Sequence, residues 1–216
     1  MSDFIVRKMQ IKDRDALIEI LHLADPHGKA HPFPAIIYKR WGEFYYEQSR
    51  DNCFVAAESE SDRAVGIILC AVDTGKYQKI FNREYYRNIQ KAVKDMESDH
   101  PGTIKKHNMA YYRHREGIQL NLIHFFKMKK IYSDYPAHLH INIHPDFQRR
   151  GLGHLLVDSL LGHLKEKGIE GLHLIVDSEN QKGIGFYMKY GFTELLKIFP
   201  AGKNGIIYGV KTTEKR

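Results

Sequence analysis

The clearest hydrophobic pattern in the chain is an alternation of apolar and polar residues over positions 137–144. Its apolar members are Leu139, Ile141 and Ile143. A period of two residues is typical of a β-strand with one buried face, so a strand is predicted here. His138 and His140 then lie on the opposite face. Pro145 cannot donate a ladder hydrogen bond, so the strand is expected to end before it.

Hydrophobic spacing predicts the other elements in turn. Strands are predicted at 4–8, 171–177, 194–199 and 205–210, and a β-hairpin at 52–58 and 64–72. Helices are predicted from an N-cap at Asp13, over 34–48, and over 155–167, where Gly168 provides a stop. Strand, two helices and paired strands therefore open the chain, and a strand–helix alternation follows.

Residues 73–134 interrupt this order between the third and fourth strands. Apolar side chains recur at helical spacing there, namely Tyr77, Phe81, Tyr85, Ile89, Ala92 or Val93, and Met96. A second helix is predicted through Tyr111 and Tyr112 toward Phe125. Frequent aromatic residues argue against disorder. We interpret the segment as a helical insertion, with a core-facing aromatic stripe, packed beside or over a cleft of a single domain spanning 1–216.

Candidate chemistry begins directly after the 137–144 strand, in the stretch QRRGLG at 148–153. Gly151 and Gly153 allow a ligand to approach the backbone closely, and the helix that follows points unpaired amides outward. Arg149 and Arg150 add positive charge. The Walker and dinucleotide-binding patterns are both absent. The stretch therefore predicts a site for a phosphate-bearing ligand of another kind.

A second motif, NQKGIGFYMKYGF, occupies 180–192. Together with Gln148, Gly151 and Gly153, it resembles the two signatures of the GNAT acetyltransferase superfamily. The first signature is that family's coenzyme A pyrophosphate loop. The second departs at one position, where Gly183 replaces the usual small Ala, a change expected to cost about 1 kcal/mol of helix propensity.

This resemblance implies a GNAT fold of the α/β (α+β) class, with a mixed, mainly antiparallel, twisted sheet and flanking helices. It implies acetyl-CoA as cofactor and N-acetyltransfer to a primary amine of a small molecule, a protein lysine or an N-terminus. The residues implied to contact the cofactor are Ile141, Asn142, Ile143, Gln148, Arg149, Arg150, Gly151, Leu152, Gly153, His154 and Asn180.

Catalysis requires a proton donor for the leaving thiolate and a means of deprotonating the amine. Tyr187 is the candidate donor because a phenol, with a pKa near ~10, can protonate a thiolate whose thiol has a pKa near ~8.5. His138 and His140 are candidate bases on the cleft face of the strand. Glu58 and Asp73 are alternative acids, and proximity alone is a further route.

More narrowly, the stretch YPAHLHINIHP together with the insertion resembles the acetyltransferase-like C-terminal domain of O-GlcNAcases and its free-standing bacterial relatives. Members of that group tend to carry Asp where this chain has Asn142. An amide cannot act as a base. A non-catalytic acyl-CoA-binding module is therefore an open alternative.

The formal net charge of +7 favours polyanions in general, so it does not choose between coenzyme A and nucleic acid. A nucleic-acid-associated protein is the second alternative, which the lack of a tight basic and aromatic cluster disfavours. The spacing of the histidines matches no metal-binding motif, so no metal site is expected. Cys53 and Cys70 are expected to be reduced core residues. No membrane span or secretory pattern is recognised, so a cytoplasmic protein is expected, and the closing hairpin offers a surface for a homodimer.

Overall fold

The computed structural model describes residues 3–24, 33–106, 122–198 and 205–213. Its strands are β1 (Phe4–Lys8), β2 (Phe54–Glu58), β3 (Ala64–Ala71), β4 (Ala137–Ile143), β5 (Gly171–Asp177), β6 (Thr193–Ile198) and β7 (Gly205–Lys211). They form one sheet in the order β1-β2-β3-β4-β5-β7-β6. Every neighbouring pair is antiparallel except the central pair β4–β5. This confirms the predicted mixed, mainly antiparallel sheet.

The helices flank this sheet on both faces. They are α1 (Arg14–Ala24), α2 (Pro34–Trp41), α3 (Glu43–Gln48), α4 (Thr74–Ile80), α5 (Tyr86–Asp99), α6 (Thr103–Lys106), α7 (Leu122–Asp134), α8 (Leu152–Glu166) and α9 (Gln181–Tyr190). Within the described ranges, no helix combines the length and the apolar composition that crossing a bilayer requires.

Two large apolar cores lie on opposite faces of the sheet, and a smaller cluster joins α7 to β6 and β7. One core joins α1 to α5 with alternate residues of β2 and β3, such as Val55 and Ile67. The other core joins α8 and α9 with the β2 and β3 residues on the opposite face, such as Ile68, and with β4 residues such as Leu139. Because both of its faces are covered, β3 is an almost uninterrupted apolar run that is buried throughout.

Helices α4 to α7 lie between β3 and β4. The predicted stripe Tyr77, Phe81, Tyr85, Ile89, Val93 and Met96 is buried in the first core. A four-residue spacing drifts around a helix that has 3.6 residues per turn. The π-helical turn Phe81–Tyr85, between α4 and α5, widens the backbone and keeps these side chains on one face. The predicted helix through Tyr111 and Tyr112 lies outside the described residues.

The predicted helix over 34–48 is interrupted, forming α2 and α3 on either side of Gly42. A Cβ at Gly42 would lie 2.8 Å from Leu21 Cδ1 and 2.9 Å from Tyr38 Cδ2. Close packing of α1 against this point therefore requires a glycine. The single-helix prediction was wrong because the periodicity of a segment does not reveal where a neighbouring helix comes closest.

The predicted N-cap role of Asp13 also needs correction. Asp13 ends a short 3₁₀ turn, Ile11–Asp13, and α1 begins one residue later. Its buried carboxylate accepts hydrogen bonds from Arg7 at 2.8 and 2.9 Å and from the Gln10 amide at 2.7 Å. The Arg7 guanidinium fixes the carboxylate beside β1 and so determines where the turn lies.

We predict that Gly171→Ala destabilises the protein by about 1–3 kcal/mol, because the added methyl group has no space. Its Cβ would lie 2.4 Å from the Asp134 carbonyl oxygen and 2.9 Å from Tyr135 Cα. Gly162→Ala is the matched control. It lies in α8 with no atom within 4 Å of the new Cβ, so a gain of about 1 kcal/mol is expected. Urea unfolding of both variants measures the difference, and equal midpoints would contradict the prediction.

Candidate functional site

The parallel pairing of β4 with β5 ends after two residue pairs, Ala137 with Leu172 and His138 with His173. Beyond them each strand stays paired on its other side, β4 with β3 as far as Ile143 and β5 with β7 as far as Asp177. The two strands therefore diverge within the sheet. Their facing edges present backbone hydrogen-bonding groups to a gap, where an extended ligand can pair as an added strand.

At the open end of this gap, a loop leads from β4 into α8. The loop residues Arg149 and Gly151 have positive φ angles of 62° and 80°, and Gly151 is the N-cap of α8. Hydrogen bonds to the Gly151 carbonyl begin with the His154 amide at 3.0 Å. In the described structure the preceding amides, at 149–153, have no hydrogen-bond partner.

The electrostatics of the loop favour an anion. The first turn of α8 contains no acidic side chain, so the partial positive charge of the helix N-terminus is not neutralised. The five amides and the helix dipole together form a cradle suited to a phosphate group. An added Cβ at Gly151 would meet no atom within 4 Å, so the space above the loop is open.

The side chains of the loop mostly hold its shape. Gln148 Nε2 donates to the Ile143 carbonyl at 3.2 Å, and the Arg150 guanidinium lies 5.1 Å from the Phe147 ring. Leu152 is buried, so only its backbone faces the cradle. A Cβ at Gly153 would lie 3.1 Å from the Phe186 ring, so this glycine allows α8 and α9 to approach closely.

Helix α9 starts beside the gap with Asn180 as its N-cap. The Asn180 Oδ1 accepts a hydrogen bond from the Gly183 amide at 2.9 Å. A Cβ at Gly183 would lie 2.7 Å from Asn180 Nδ2. The glycine therefore gives the cap amide room, a function that its helix propensity alone did not indicate.

Tyr187 lies on the second turn of α9 and is partly buried. Its ring packs against Phe186, at a centroid distance of 5.3 Å, and Phe192, at 5.6 Å. Burial raises the pKa of the phenol well above its ordinary value. No residue in the described part of the chain hydrogen-bonds the Tyr187 hydroxyl. The phenol thus stays protonated at neutral pH and keeps its hydrogen-bonding capacity for a ligand.

His138 is held in a buried chain of hydrogen bonds. Its Nε2 lies 2.8 Å from the Tyr45 hydroxyl, and its Nδ1 lies 2.8 Å from Thr74 Oγ1. Thr74 Oγ1 in turn donates to the Pro136 carbonyl at 2.9 Å. Burial lowers the pKa of His138 well below its usual value, and the charges of His173 and His140 act in the same direction. Both ring nitrogens are therefore engaged in holding α3, α4 and β4 together.

His140 lies two residues further along β4 and is only partly buried. Its ring makes edge contacts with Trp41, at 5.3 Å, and with Tyr45, at 5.5 Å. Of the two candidate histidines, His140 is the one nearer the open part of the gap. Asn142 follows on the same face of the strand.

The alternative acids have local structural partners. Glu58 Oε2 accepts a hydrogen bond from Ser61 Oγ at 2.9 Å in the hairpin turn. Asp73 caps α4 by accepting from the Lys76 amide at 2.8 Å. Sequence reasoning did not identify Tyr45, Thr74 or Trp41 as neighbours of the site. The apolar spacing of Trp41 and Tyr45 on a predicted helix was the one signal available.

Comparisons with known proteins agree with this geometry. A model of the acetyltransferase (GNAT) family matches residues 105–192. The [ribosomal protein bS18]-alanine N-acetyltransferase of Salmonella typhimurium is 36% identical over 69 residues, which is 32% of this chain and 47% of that protein. The chain thus spans about half the length of this curated relative.

Solved structures share the fold. The crystal structure of SsHAT matches with a TM-score of 0.72 at 22% identity and covers 98% of this chain and 100% of that one. The NatC complex bound to Gag peptide and CoA matches with a TM-score of 0.55 at 12% identity, covering 97% and 98%. The narrower resemblance to the O-GlcNAcase C-terminal domain stays a prediction.

His138 and His173 are buried where β4 and β5 begin to diverge. Together they predict a fold that acid destabilises. Burial lowers the pKa of His173 from 6.5 to about 4, and that of His138 also falls. The unfolded chain therefore binds more protons than the folded protein below pH 6.5. Stability should be complete above that pH and decrease as the pH falls toward 4. Urea unfolding at pH 7.5, 6.0 and 5.0 measures this loss.

His173→Gln should show a shallower pH dependence, because one of the two protonation differences is removed. The exposed His154 provides the control, since His154→Gln should keep the slope of the unmodified protein. If the free energy of unfolding changed with pH by the same amount in all three proteins, the prediction would be contradicted.

Proposed function

We propose that this chain, which a model of the acetyltransferase (GNAT) family matches over residues 105–192, transfers the acetyl group of acetyl-CoA to a primary amine. The observation that carries the proposal is the position of the five backbone amides at 149–153, which pair with no group in the described part of the chain, beside the gap between β4 and β5. A cradle for a diphosphate and an open strand edge then lie in sequence along one ligand path.

The residues of this chain fit coenzyme A along that path. The amides of 149–153 would hold the pyrophosphate, with Gln148 and Arg150 keeping the loop in shape. The β4 edge at Ile141, Asn142 and Ile143 would pair with the pantetheine arm, and Asn180 and His154 would contact the cofactor from α9 and α8. When bound, acetyl-CoA supplies the acetyl group as an activated thioester.

Proton transfer is assigned to two side chains on opposite sides of the gap. Tyr187 is the proposed donor to the departing sulfur: burial raises the pKa of its phenol, which keeps the proton in place at neutral pH while making the group a weaker acid. His140 lies on the face of β4 that the acceptor amine would approach, and a neutral imidazole can take the proton of that amine. His138 positions this part of β4 through Tyr45 and Thr74.

The acceptor is proposed to be a primary amine of a small molecule or a protein. The Salmonella relative is named for acetylating the alanine of a ribosomal protein, which supports a protein N-terminus. A location in the cytoplasm and a homodimer through the β6–β7 hairpin remain parts of the proposal.

Acetyl-CoA at 100 times its dissociation constant should stabilise the protein by about 2.7 kcal/mol. Thermal unfolding with and without the ligand measures this shift. Gly151→Glu should abolish the shift, because a carboxylate is placed beside the pyrophosphate. The substitution also strains the backbone, since φ at this position is +80°.

Gly168→Glu controls for that strain. Gly168 lies at the other end of α8 with φ of +68° and no atom within 4 Å of an added Cβ. The variant should lose a similar amount of stability yet keep the full response to acetyl-CoA. A protein that shows no response in its unmodified form at saturating ligand would refute the proposed cofactor site.

Tyr187→Phe should lower kcat by about 10²-fold or more, the range expected for loss of a general acid, and leave the acetyl-CoA-induced shift intact. The phenyl ring keeps the contacts with Phe186 and Phe192, so folding is preserved. His140→Gln should lower kcat/KM with folding preserved, whereas His138→Gln should lower stability because it loses the hydrogen bonds with Tyr45 and Thr74. A Tyr187→Phe enzyme with kcat within about twofold of the original would overturn the assignment.

Asn142 favours a second candidate function, that of an acyl-CoA-binding module without transferase activity. Its amide lies on the cleft face of β4 where an acidic group would otherwise be available. Stabilisation by acetyl-CoA without release of free thiol in the presence of any primary amine would support this function.

A further inference from the structure

The gap between β4 and β5 is covered at its apex, where the last two paired residues lie. One of them, His138, is buried beneath Tyr45, whose hydroxyl lies 2.8 Å from its Nε2 atom. The other, His173, is buried beneath the end of α7. The Tyr132 ring lies 5.3 Å from the His173 ring, and the Tyr135 carbonyl lies 2.7 Å from its Nδ1 atom. Both strands are therefore covered on this face as far as their last pair.

One step further along β5, the covered surface gives way to an exposed apolar side chain, that of Ile175. Because alternate residues of a strand share a face, Ile175 lies on the face of His173, and His140 lies on the corresponding face of β4. Ile175 is 49% exposed although β5 lies between β4 and β7 in the sheet. The other residues of β5 before Asp177 are buried. Single exposed apolar residues are common on protein surfaces, but this one borders the gap in which acetyl transfer would take place.

The side of the gap that faces Ile175 is aromatic. His140 is partly buried, and its ring makes edge contacts with Trp41 at 5.3 Å and with Tyr45 at 5.5 Å. Trp41 is itself partly buried at the end of α2. A branched aliphatic side chain on one strand thus faces an indole and an imidazole across the opening. Such a lining favours an apolar group, because covering it removes apolar surface from water.

Polar side chains follow at the mouth of the gap. Asn142 is the next residue outward on this face of β4, and Asp177 is the next on β5. Asp177 Oδ1 accepts a hydrogen bond from the Glu179 amide at 3.0 Å, which holds the carboxylate at the start of the loop to α9. The apolar lining is therefore limited to the one level that lies beside His140.

We propose that Ile175, Trp41 and His140 form the acceptor subsite, and that it selects amines with an aromatic or branched apolar group two carbons from the nitrogen. The inference rests on the proposed transferase function and adds a substrate class to it. Because Trp41 contacts the imidazole that receives the amine, a group a few bonds from the nitrogen lies between Trp41 and Ile175. A free arylethylamine and a peptide that begins with phenylalanine share this chemistry.

The acetyl transfer itself is unchanged by this assignment. The amine nitrogen bonds to the acetyl carbon as the C–S bond breaks, the amine proton goes to His140, and Tyr187 protonates the sulfur. Solvent then returns a proton from the imidazolium to the phenolate. Ile175 contributes contact area and no chemistry, so it is a residue that determines specificity.

A diamine is the rival acceptor, because Asp177 would attract a second ammonium. Two residues of strand separate Asp177 from Ile175, which corresponds to roughly 6–7 Å, about the length of a five-carbon diamine. Its chain would run outward from His140 to Asp177 and leave Trp41 without a contact. The lining of the opening therefore favours the apolar amine, and the two classes give opposite results in the test below.

Trp41 is the single tryptophan of the chain, so its fluorescence reports on the opening directly. The test titrates the full-length protein with 2-phenylethylamine, with and without coenzyme A, and uses ethanolamine and 1,5-diaminopentane as comparators. We expect a saturable change in emission, with a Kd for 2-phenylethylamine lower by about tenfold or more than for either comparator. The same order is expected for kcat/KM in acetyl transfer. A phenylalanine-initiated peptide that binds more tightly than 2-phenylethylamine would identify a protein as the source of the amine, and weaker binding a free amine.

Ile175→Asp should raise the Kd for 2-phenylethylamine by about tenfold or more. Ile175→Thr keeps a β-branched side chain, which strands favour, and should raise the Kd in the same direction by less. This second variant keeps the test valid if the first does not fold. Ile5 provides the matched control, since it is 44% exposed on the edge strand β1. Ile5→Asp and Ile5→Thr should leave the Kd unchanged.

The outcomes separate this inference from the transferase function. Equal Kd values for the three amines, tighter binding of 1,5-diaminopentane, or equal effects of the Ile175 and Ile5 variants would each overturn the inference. Acetylation of all three amines with similar kcat/KM would overturn it and leave the transferase function intact. Saturable, Ile175-dependent binding of 2-phenylethylamine without any acetyl transfer would support the subsite and refute the transferase function.

Discussion

The early end of the β4–β5 ladder is the constraint on which the rest of the site depends. Only two residue pairs join these strands, yet each strand stays in the sheet through its other neighbour. A backbone group that is taken from water and left unpaired costs about 1–3 kcal/mol. The facing edges therefore need polar partners. An extended ligand can supply them in a fixed register, which is why the break in the ladder is useful for binding.

The apex of the gap is also where the long segment between β3 and β4 joins the sheet. The Thr74 amide and hydroxyl both donate to the Pro136 carbonyl, so the two ends of the segment are fixed to each other. The same hydroxyl meets His138, the last residue of β4 that pairs with β5. Helix α4 and the aromatic stripe behind it are therefore part of the support that holds the strands apart, rather than an addition to a finished fold.

The parts of the site that sequence could predict are those whose geometry is local. The loop glycine Gly151 and the start of α9 at Asn180 depend on only a few neighbouring residues, so spacing indicates where they lie, although the left-handed φ of Gly151 came from the structure. His138 could not be interpreted in this way. Its partner Tyr45 is 93 residues away in sequence and Thr74 is 64 away. A histidine on a strand has the same local pattern whether it is a base or a buried structural residue, and only long-range packing separates the two. The break at Gly42, set by contact with Leu21, has the same origin.

Helix α8 organises charge as well as packing. Its first turn lacks the acidic side chain that would normally stabilise a helix N-terminus by about 0.3–1 kcal/mol. Its last turn carries Lys165, which complements the negative end of the dipole. Both ends of α8 therefore carry positive charge, but the charge has a different source at each end. At the N-terminus the charge comes from backbone amides and is available to an anion, whereas at the C-terminus it comes from lysine side chains, of which Lys167 donates a hydrogen bond to Asn52.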